Sequence, residues 1–339
     1  YAWYVLYFLK SDYFIKEAKY KGTAGQQRVL SSYVQNKLFP IPPYNEQYRI
    51  IGKVQDVFSI VDKYEKSQQG LDKLNALIFD SLKKSILQEA IQGKLVPQIA
   101  EEGTAQELLE QIRQEKQKLV KEGKLKKSAL TDSAIFKGDD NKYYEQIGKS
   151  VKEITEEIAF DLPNGWYWCR LKDICSIFTG ATFKKEEATI TRKGIRILRG
   201  GNISPFELKI KDDDIFLTKD KVKEDILLKE NDILTPAVTS LENIGKMARV
   251  DSDMSDTTVG GFVFIIRLHL INRWFSKYIL YLLSSPFMID FMKSITNKSG
   301  QAFYNIGKER LSMALLPIPP LTEQYRIVTQ IEKLFEQLR

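Results

Sequence analysis

Imidazoles, thiols and phosphate-cradling glycine loops support most hydrolytic, metal-dependent and nucleotide-dependent chemistry, and this chain is short of all three. It has one histidine, His269, in 339 residues. Zinc sites and acid–base relays generally draw on several imidazoles, so paired-histidine nucleases, His-dependent zinc fingers and HExxH proteases are excluded. His269 lies in Phe262-Val-Phe-Ile-Ile-Arg-Leu-His-Leu-Ile271, a strand-like apolar run, and reads as structural. Two cysteines, Cys169 and Cys175, cannot complete a tetrahedral metal site. No secretory-type segment stands before them, so buried thiols in a reducing interior are expected. Ile147-Gly-Lys-Ser150 has the tail of a phosphate-binding loop, but Tyr143 stands where the first glycine is required.

Two further motifs fail on one residue each. Ile41-Pro-Pro-Tyr44 has the shape of the Asn/Asp-Pro-Pro-Tyr motif of adenine methyltransferases, yet Ile41 lacks the amide or carboxylate that would hold the target amino group. Ile318-Pro-Pro-Leu321 loses the tyrosine as well. Phe178-Thr-Gly-Ala-Thr182 lacks the second glycine of a methyl-donor loop. No catalytic residue and no metal ligand is assigned. The apolar runs near Val259–Ile266 and Tyr278–Leu283 stop well short of the roughly 20 residues that span a bilayer, so no membrane partner is expected. Fifty-one basic against 44 acidic residues leave +7, a modest surplus suited to an anionic partner.

The elements that would position any site are announced by a repeat. Phe39-Pro-Ile-Pro-Pro-Tyr-Asn-Glu-Gln-Tyr-Arg-Ile-Ile51 matches Leu316-Pro-Ile-Pro-Pro-Leu-Thr-Glu-Gln-Tyr-Arg-Ile-Val328 at an offset of 277. Val29, Val34 and Leu38 pair with Ile306, Leu311 and Leu315 at the same offset; after a shift of three residues, Tyr4, Leu6, Tyr7, Leu9 and Ser11 pair with Tyr278, Leu280, Tyr281, Leu283 and Ser285. A length of 339 residues also favours two or more units.

After Pro42-Pro43, Asn45 is the expected cap of a helix that Gly93 and Pro97 end near Ile91, with Gly70 as a point of bending. Ile50, Val54, Val57, Val61, Tyr64, Leu71, Leu74, Ile78 and Leu82 mostly step by three and four, the seam of a long packed helix. A second helix is expected within 104–127, then a connector over 128–160, then a domain in which strands alternate with turns, with one helix from about Arg273 to Ile295. The fold class is α+β, with a mixed strand and helix domain joined to long coiled-coil-like helices.

Pro-Ile-Pro-Pro with Glu-Gln-Tyr-Arg, then Ser85-Ile-Leu-Gln-Glu-Ala-Ile-Gln-Gly-Lys-Leu-Val-Pro97, then Leu162-Pro-Asn-Gly-Trp-Tyr-Trp168, together resemble the DNA-specificity subunit of type I restriction-modification systems. The resemblance covers essentially the whole chain. It implies target-recognition domains alternating with helical conserved regions: 1–43 as the C-terminal part of a first recognition domain, 44–97 as a spacer helix, 98–160 as second helix and connector, 161–318 as a complete recognition domain, and 319–339 as the start of another helical region.

The resemblance further implies a noncatalytic, cytoplasmic reader of bipartite double-stranded DNA in defence against foreign DNA. Methyltransferase subunits carrying S-adenosylmethionine would join it, as would motor-nuclease subunits using ATP and Mg, to make a type I site-specific deoxyribonuclease and adenine-N6 DNA methyltransferase. No cofactor is expected in this chain. The family carries two complete recognition domains, whereas residues 1–43 match only part of one. Three readings stay open: a reader of one half-site, a chain that pairs with a second copy of a half-subunit, or a truncated product.

Under this resemblance the spacer would pair antiparallel with the helix after Pro320, and its length would set the gap between DNA half-sites. Lys184, Lys185, Arg192 and Lys193 are candidate phosphate contacts. Arg196, Arg199 and Asn202 are candidate base contacts, because Arg reads guanine and Asn reads adenine bidentately. Strand alternation puts Arg196 and Arg199 on different faces. Thr239, Ser240, Asn243 and Lys246 form a second candidate loop; Lys298, Gln301, Tyr304 and Asn305 form a third. Two other functions remain as alternatives: a self-contained adenine-N6 DNA methyltransferase, and a helical scaffold without DNA binding.

Overall fold

The structure, a computed structural model, describes residues 2–22, 27–299 and 302–338. It divides into two compact units, Tyr1–Ile78 and Phe79–Arg339. The division falls inside a helix rather than at the Pro-Pro step before it.

In the first unit, α1 (Ala2–Leu9) and α2 (Asp12–Ile15) precede a short pairing of β1 (Tyr20–Lys21) with β2 (Arg28–Val29), then α3 (Ser31–Asn36) and α4 (Tyr44–Ile91). Aromatic rings make its core: Phe8 lies 4.6 Å from Phe39 and 5.7 Å from Phe14, and Phe14 lies 5.3 Å from Tyr33.

The 48 residues of α4 form one helix, about 72 Å of rise. It starts one residue before the expected cap, so Asn45 sits in the first turn; the Pro43 carbonyl accepts the N–H groups of Glu46 and Gln47 at 2.8 and 3.0 Å. Gly70 does not interrupt it. Its end is a Schellman turn on Gly93, at φ 70°, with Lys94 N–H on the Glu89 carbonyl and Gly93 N–H on the Ala90 carbonyl. Val57, Phe58, Ile60, Val61, Tyr64, Leu71 and Leu74 of the expected seam region are exposed, whereas Leu87, Ala90 and Ile91 enter the core of the second unit.

The second unit continues with α5 (Ala105–Lys121), which buries Ala105, Leu108, Ile112 and Lys116. The Lys116 ammonium pairs with Asp132 and donates to the Asp173 carbonyl. Residues 128–160, expected to be a connector, carry an antiparallel meander of β3 (Ser133–Lys137), β4 (Tyr143–Ile147) and β5 (Ser150–Glu153). Each strand buries one residue at most, Ile135 and Glu145 among them, so little hydrophobic period reaches the sequence. Ile135 and Ile154 pack on Trp168 and Leu315, and a charge clamp adds to this: Arg170 donates to both Glu145 carboxylate oxygens at 3.0 and 2.8 Å and to the Met313 carbonyl at 2.8 Å.

Then follow β6 (Tyr167–Arg170), α6 (Leu171–Ile174), β7 (Cys175–Thr179), β8 (Ile195–Leu198), β9 (Ile203–Ser204), β10 (Glu207–Leu208), β11 (Ile215–Leu217), β12 (Ile233–Pro236), β13 (Val238–Thr239), β14 (Ala248–Arg249), β15 (Thr257–Val259) and β16 (Val263–Leu268). Strands β14-β12-β16-β7 form one sheet and β11-β8-β15 another. Successive residues of β16 serve different cores, as a strand covered on both faces must. Phe264 and Ile266 join the helical core, while Val263 and Ile265 face the sheet of Ile197, Leu217 and Val259.

The helical segment expected as one piece from 273 to 295 is two, α7 (Arg273–Leu283) and α8 (Pro286–Ser294), because Ser285 caps α8 and Pro286 occupies its first turn. The chain closes with β17 (Thr296–Ser299), β18 (Phe303–Ile306), α9 (Lys308–Ser312), β19 (Leu315–Ile318) paired to β6, and α10 (Leu321–Gln337). Along α10 lies α7: Trp274 packs on Tyr325 at 4.6 Å, Tyr281 packs on Phe335 at 6.0 Å, and Lys277 pairs with Glu332 at 2.5 Å. The last turns of the spacer share the core of α10 and meet it in the antiparallel sense, with Lys83 over the Phe335 ring and, past the spacer's end, Gln98 donating to Glu323 at 2.7 Å.

The sequence repeat is reproduced bond for bond. Tyr4 Oη donates to the Pro40 carbonyl, as Tyr278 Oη donates to Pro317. Ser11 caps the amide of Phe14, as Ser285 caps Met288. Gln47 Nε2 donates to the Pro42 carbonyl and Gln324 Nε2 to Pro319, both at 2.9 Å. The copies differ where β19 has its partner strand. Leu315 and Ile318 are buried, whereas their counterparts Leu38 and Ile41 are 81% and 74% exposed.

Candidate nucleic-acid interface

Strand β8 enters from Gly194, at φ 103°, where a Cβ would lie 2.1 Å from the Leu217 carbonyl oxygen. That close approach lets β8 pair antiparallel with β11 and parallel with β15. Each arginine of the segment then meets one of three consecutive aspartates in the loop before β11. Arg192 pairs with Asp212 at 2.7 Å, Arg199 with Asp213 at 3.0 Å, and Arg196 with Asp214 at 3.1 Å. The first two pairs are solvent-exposed; Asp214 is fully buried. Burial alone would raise the Asp214 carboxyl, but the Lys211 N–H, the Asn202 amide and the Arg196 guanidinium hold it below the usual carboxylate value. Arg196 also lies over the Phe216 ring at 4.9 Å.

Asn202, expected as a base contact, is buried, and its amide is occupied on both sides. Its oxygen accepts the Arg199 N–H at 2.8 Å, and its nitrogen donates to the Lys209 carbonyl and the Asp214 carboxylate at 2.8 and 2.7 Å. It positions the Gly200–Gly201 turn and offers nothing outward. Arg196 is likewise engaged from below, which leaves Arg199 as the accessible arginine next to that turn. Lys184, Lys185 and Lys193 are exposed and, among the described residues, carry no ion pair.

The second and third candidate loops come together. Strands β13-β18-β17 form one antiparallel sheet in which Thr239 faces Tyr304 and Tyr304 faces Lys298, while Val238 faces Asn305. Lys298 and Asn305 are exposed and Tyr304 is half-buried. Thr239 is buried and so is withdrawn from direct contact. Ser240 and Asn243 bond to each other at 2.9 Å across their turn, and Lys246 is half-buried. Gln301 lies outside the described residues.

The first cluster adjoins this sheet: a Cβ on Gly200 would sit 3.6 Å from Pro236, which leads through Ala237 into β13. Sequence reasoning missed the aspartates 212–214, although Lys211-Asp-Asp-Asp214 is a visible acidic run beside a visible basic one. It also missed Phe262, 73% exposed at the start of an otherwise buried strand. Among the described residues no group of three or more His, Cys, Asp or Glu is placed to hold a metal ion, and no helix is long and apolar enough to cross a membrane.

The family described as "Type I restriction modification DNA specificity domain" matches residues 163–339, more than half of the chain. The chain belongs to this family. Among curated relatives it is 31% identical to the Escherichia coli "Type I restriction enzyme EcoAI specificity subunit", over 98% of this chain and 59% of that protein. It is 26% identical to the Escherichia coli EcoEI specificity subunit, over 98% and 60%. The chain therefore spans about three-fifths of the length of these specificity subunits. A crystal structure of the HsdS subunit from Thermoanaerobacter tengcongensis aligns with 99% of this chain and 63% of that one, at 20% identity and a TM-score of 0.39. Within the matched range lie the 184–202 cations, the aspartate triplet and the β13-β18-β17 sheet.

Proposed function

We propose that this chain reads DNA sequence for a type I restriction-modification complex, directing adenine methylation and restriction that partner subunits carry out. The observation that carries the reading is that Arg199 and the Gly200–Gly201 turn adjoin the β13-β18-β17 sheet through Pro236, in the same domain as Lys184, Lys185 and Lys193, which are unpaired among the described residues. Free lysines suit phosphates; on the sheet the Tyr304 phenol and the Lys298 ammonium stand opposite one another across adjoining strands on one face, and the Asn305 amide lies on the other, each suited to base edges. Phosphate contact belongs to Lys184, Lys185, Arg192 and Lys193, and base contact to Arg199, Lys298, Tyr304 and Asn305.

In this reading the partners are double-stranded DNA, methyltransferase subunits and motor-nuclease subunits, together with a second copy of a half-subunit. S-adenosylmethionine, ATP and Mg belong to those subunits, and the chain itself is noncatalytic and works in the cytoplasm. The test is to map methylated adenines in cells that carry this chain with its methyltransferase partner. Methylation at one defined sequence that disappears when the chain is removed is expected; an unchanged methylation map without the chain overturns the reading.

A further inference from the structure

A four-residue turn at the start of β16 presents an exposed aromatic ring. Phe262 follows Gly260-Gly261 and is 73% exposed, between residues that belong to the buried sheet. Its backbone is fastened on every side. Gly260 N–H donates to the Leu198 carbonyl at 2.8 Å, Val263 N–H closes the turn onto the Gly260 carbonyl at 2.9 Å, and the Phe262 carbonyl accepts the Ala237 N–H at 2.8 Å. Ala181 N–H donates to the Val259 carbonyl at 2.8 Å, and there is no room for a side chain on Gly180, whose Cβ would lie 2.1 Å from that oxygen. A ring held on a backbone this fixed loses little freedom when it is buried by a partner.

Those same bonds place the turn at the meeting point of all three candidate segments. Through Leu198 it touches the residue before Arg199 and the Gly200–Gly201 turn; through Ala181 it borders the Lys184–Lys185 loop. Through Ala237, whose carbonyl accepts the Ile306 N–H at 2.9 Å, it continues the rungs that hold Val238 opposite Asn305 and Thr239 opposite Tyr304. An exposed apolar ring on a turn whose backbone is bonded to the segments that carry the candidate cations and hydrogen-bonding groups suits the arrangement by which proteins wedge a base step open while charges hold the backbone.

We infer that Phe262 inserts into a base step of the bound duplex, unstacking it and fixing the register in which the neighbouring groups read bases. This rests on the DNA-reading function proposed above. The experiment uses the chain assembled with its methyltransferase partner and a duplex carrying the mapped methylation site, with 2-aminopurine placed at each position in turn. With the unaltered chain, fluorescence should rise at one step. In Phe262→Ala that rise should vanish and affinity for the site should fall about 5- to 150-fold. Phe262→Trp should keep both, while binding to unrelated duplexes and its salt dependence stay unchanged.

Thermal melting of Phe262→Ala should match the parent, because the ring is exposed. Site affinity and fluorescence unaltered in Phe262→Ala overturn the wedge while leaving the DNA-reading function in place. The wedge also falls if Phe262→Ala weakens only assembly with the methyltransferase. Failure of the unaltered complex to bind the mapped duplex overturns the DNA-reading function itself.

Discussion

Asp213 and Asp214 are neighbours in sequence and differ in what holds them. Asp214 is fully buried against Arg196, Asn202 and the Lys211 amide, so Asp214→Ala strands a half-buried guanidinium and should cost about 3–5 kcal/mol of stability in urea denaturation. Asp213 and Arg199 meet in solvent, where an ion pair contributes about 0–1 kcal/mol. Asp213→Asn should leave stability unchanged and strengthen binding to the recognised site, measured by titration against an unrelated duplex at the same salt, because the carboxylate no longer competes with a base for Arg199.

His269 provides a pH test. Burial first, and the nearby Lys116 charge second, push its imidazole down to about 4 from an ordinary value near 6.5. Asp132, the partner of the buried Lys116, acts in the opposite direction, as does a backbone hydrogen bond involving Cys175. A base whose folded value is depressed stays neutral in the fold while the unfolded chain takes up a proton, so stability present above about pH 6.5 drains away towards pH 4. His269→Gln should remove up to about 3 kcal/mol of that loss, read as the difference in denaturation midpoint between variant and parent across this window. The structural role of His269 was legible from its apolar surroundings. The occupation of Asn202 was not, because its three bonds reach the distant Lys209 and Asp214 as well as Arg199.

At the scale of elements, α4 was the most legible. Its three- and four-residue spacing and its terminal glycine gave the span to within a residue of the structure. Gly70 was read as a point of bending, and the helix continues through it. A Cβ there would meet nothing within 4 Å, and glycine within a helix costs about 0.5–1 kcal/mol relative to alanine. Gly70→Ala should therefore raise stability by up to about 1 kcal/mol in thermal or urea unfolding, without change in DNA binding. The β3–β5 meander was illegible for the opposite reason. It is held by the Arg170 clamp on Glu145 and Glu157 and by a small apolar cluster in which Ile135 and Ile154 meet Trp168 and Leu315; partnerships across 25 residues and more leave no local period. The break between α7 and α8 could be read in Ser285-Pro286, a cap followed by a first-turn proline, but an apolar pattern continuing across it concealed the boundary.

At the scale of the whole molecule, a net charge of +7 overstates neither the strength nor the breadth of the basic surface. The arginines of the 192–199 segment are matched by aspartates, so Arg192 must leave Asp212 to meet phosphate, whereas Lys184, Lys185 and Lys193 have no ion pair to break among the described residues. Lys184→Ala and Lys185→Ala should each weaken binding to all duplexes alike and lower the slope of log affinity against log salt by about 0.9 per lost phosphate contact. A change in preference at one base pair instead would place these lysines on bases.

The two copies of the repeat keep the same tyrosine, serine and glutamine bonds, yet their register shifts by three residues between the serine cap and the following strand. One residue of that shift falls between the paired ends of the hairpin, Tyr20 to Val29 in one copy and Thr296 to Ile306 in the other; the rest falls before it, where the four-residue α2 stands in place of the nine-residue α8. A frame anchored on either side of a segment of variable length is a natural place for grafting: new segments can be exchanged there, and heritable diversity can accumulate, without redesign of the scaffold that carries them.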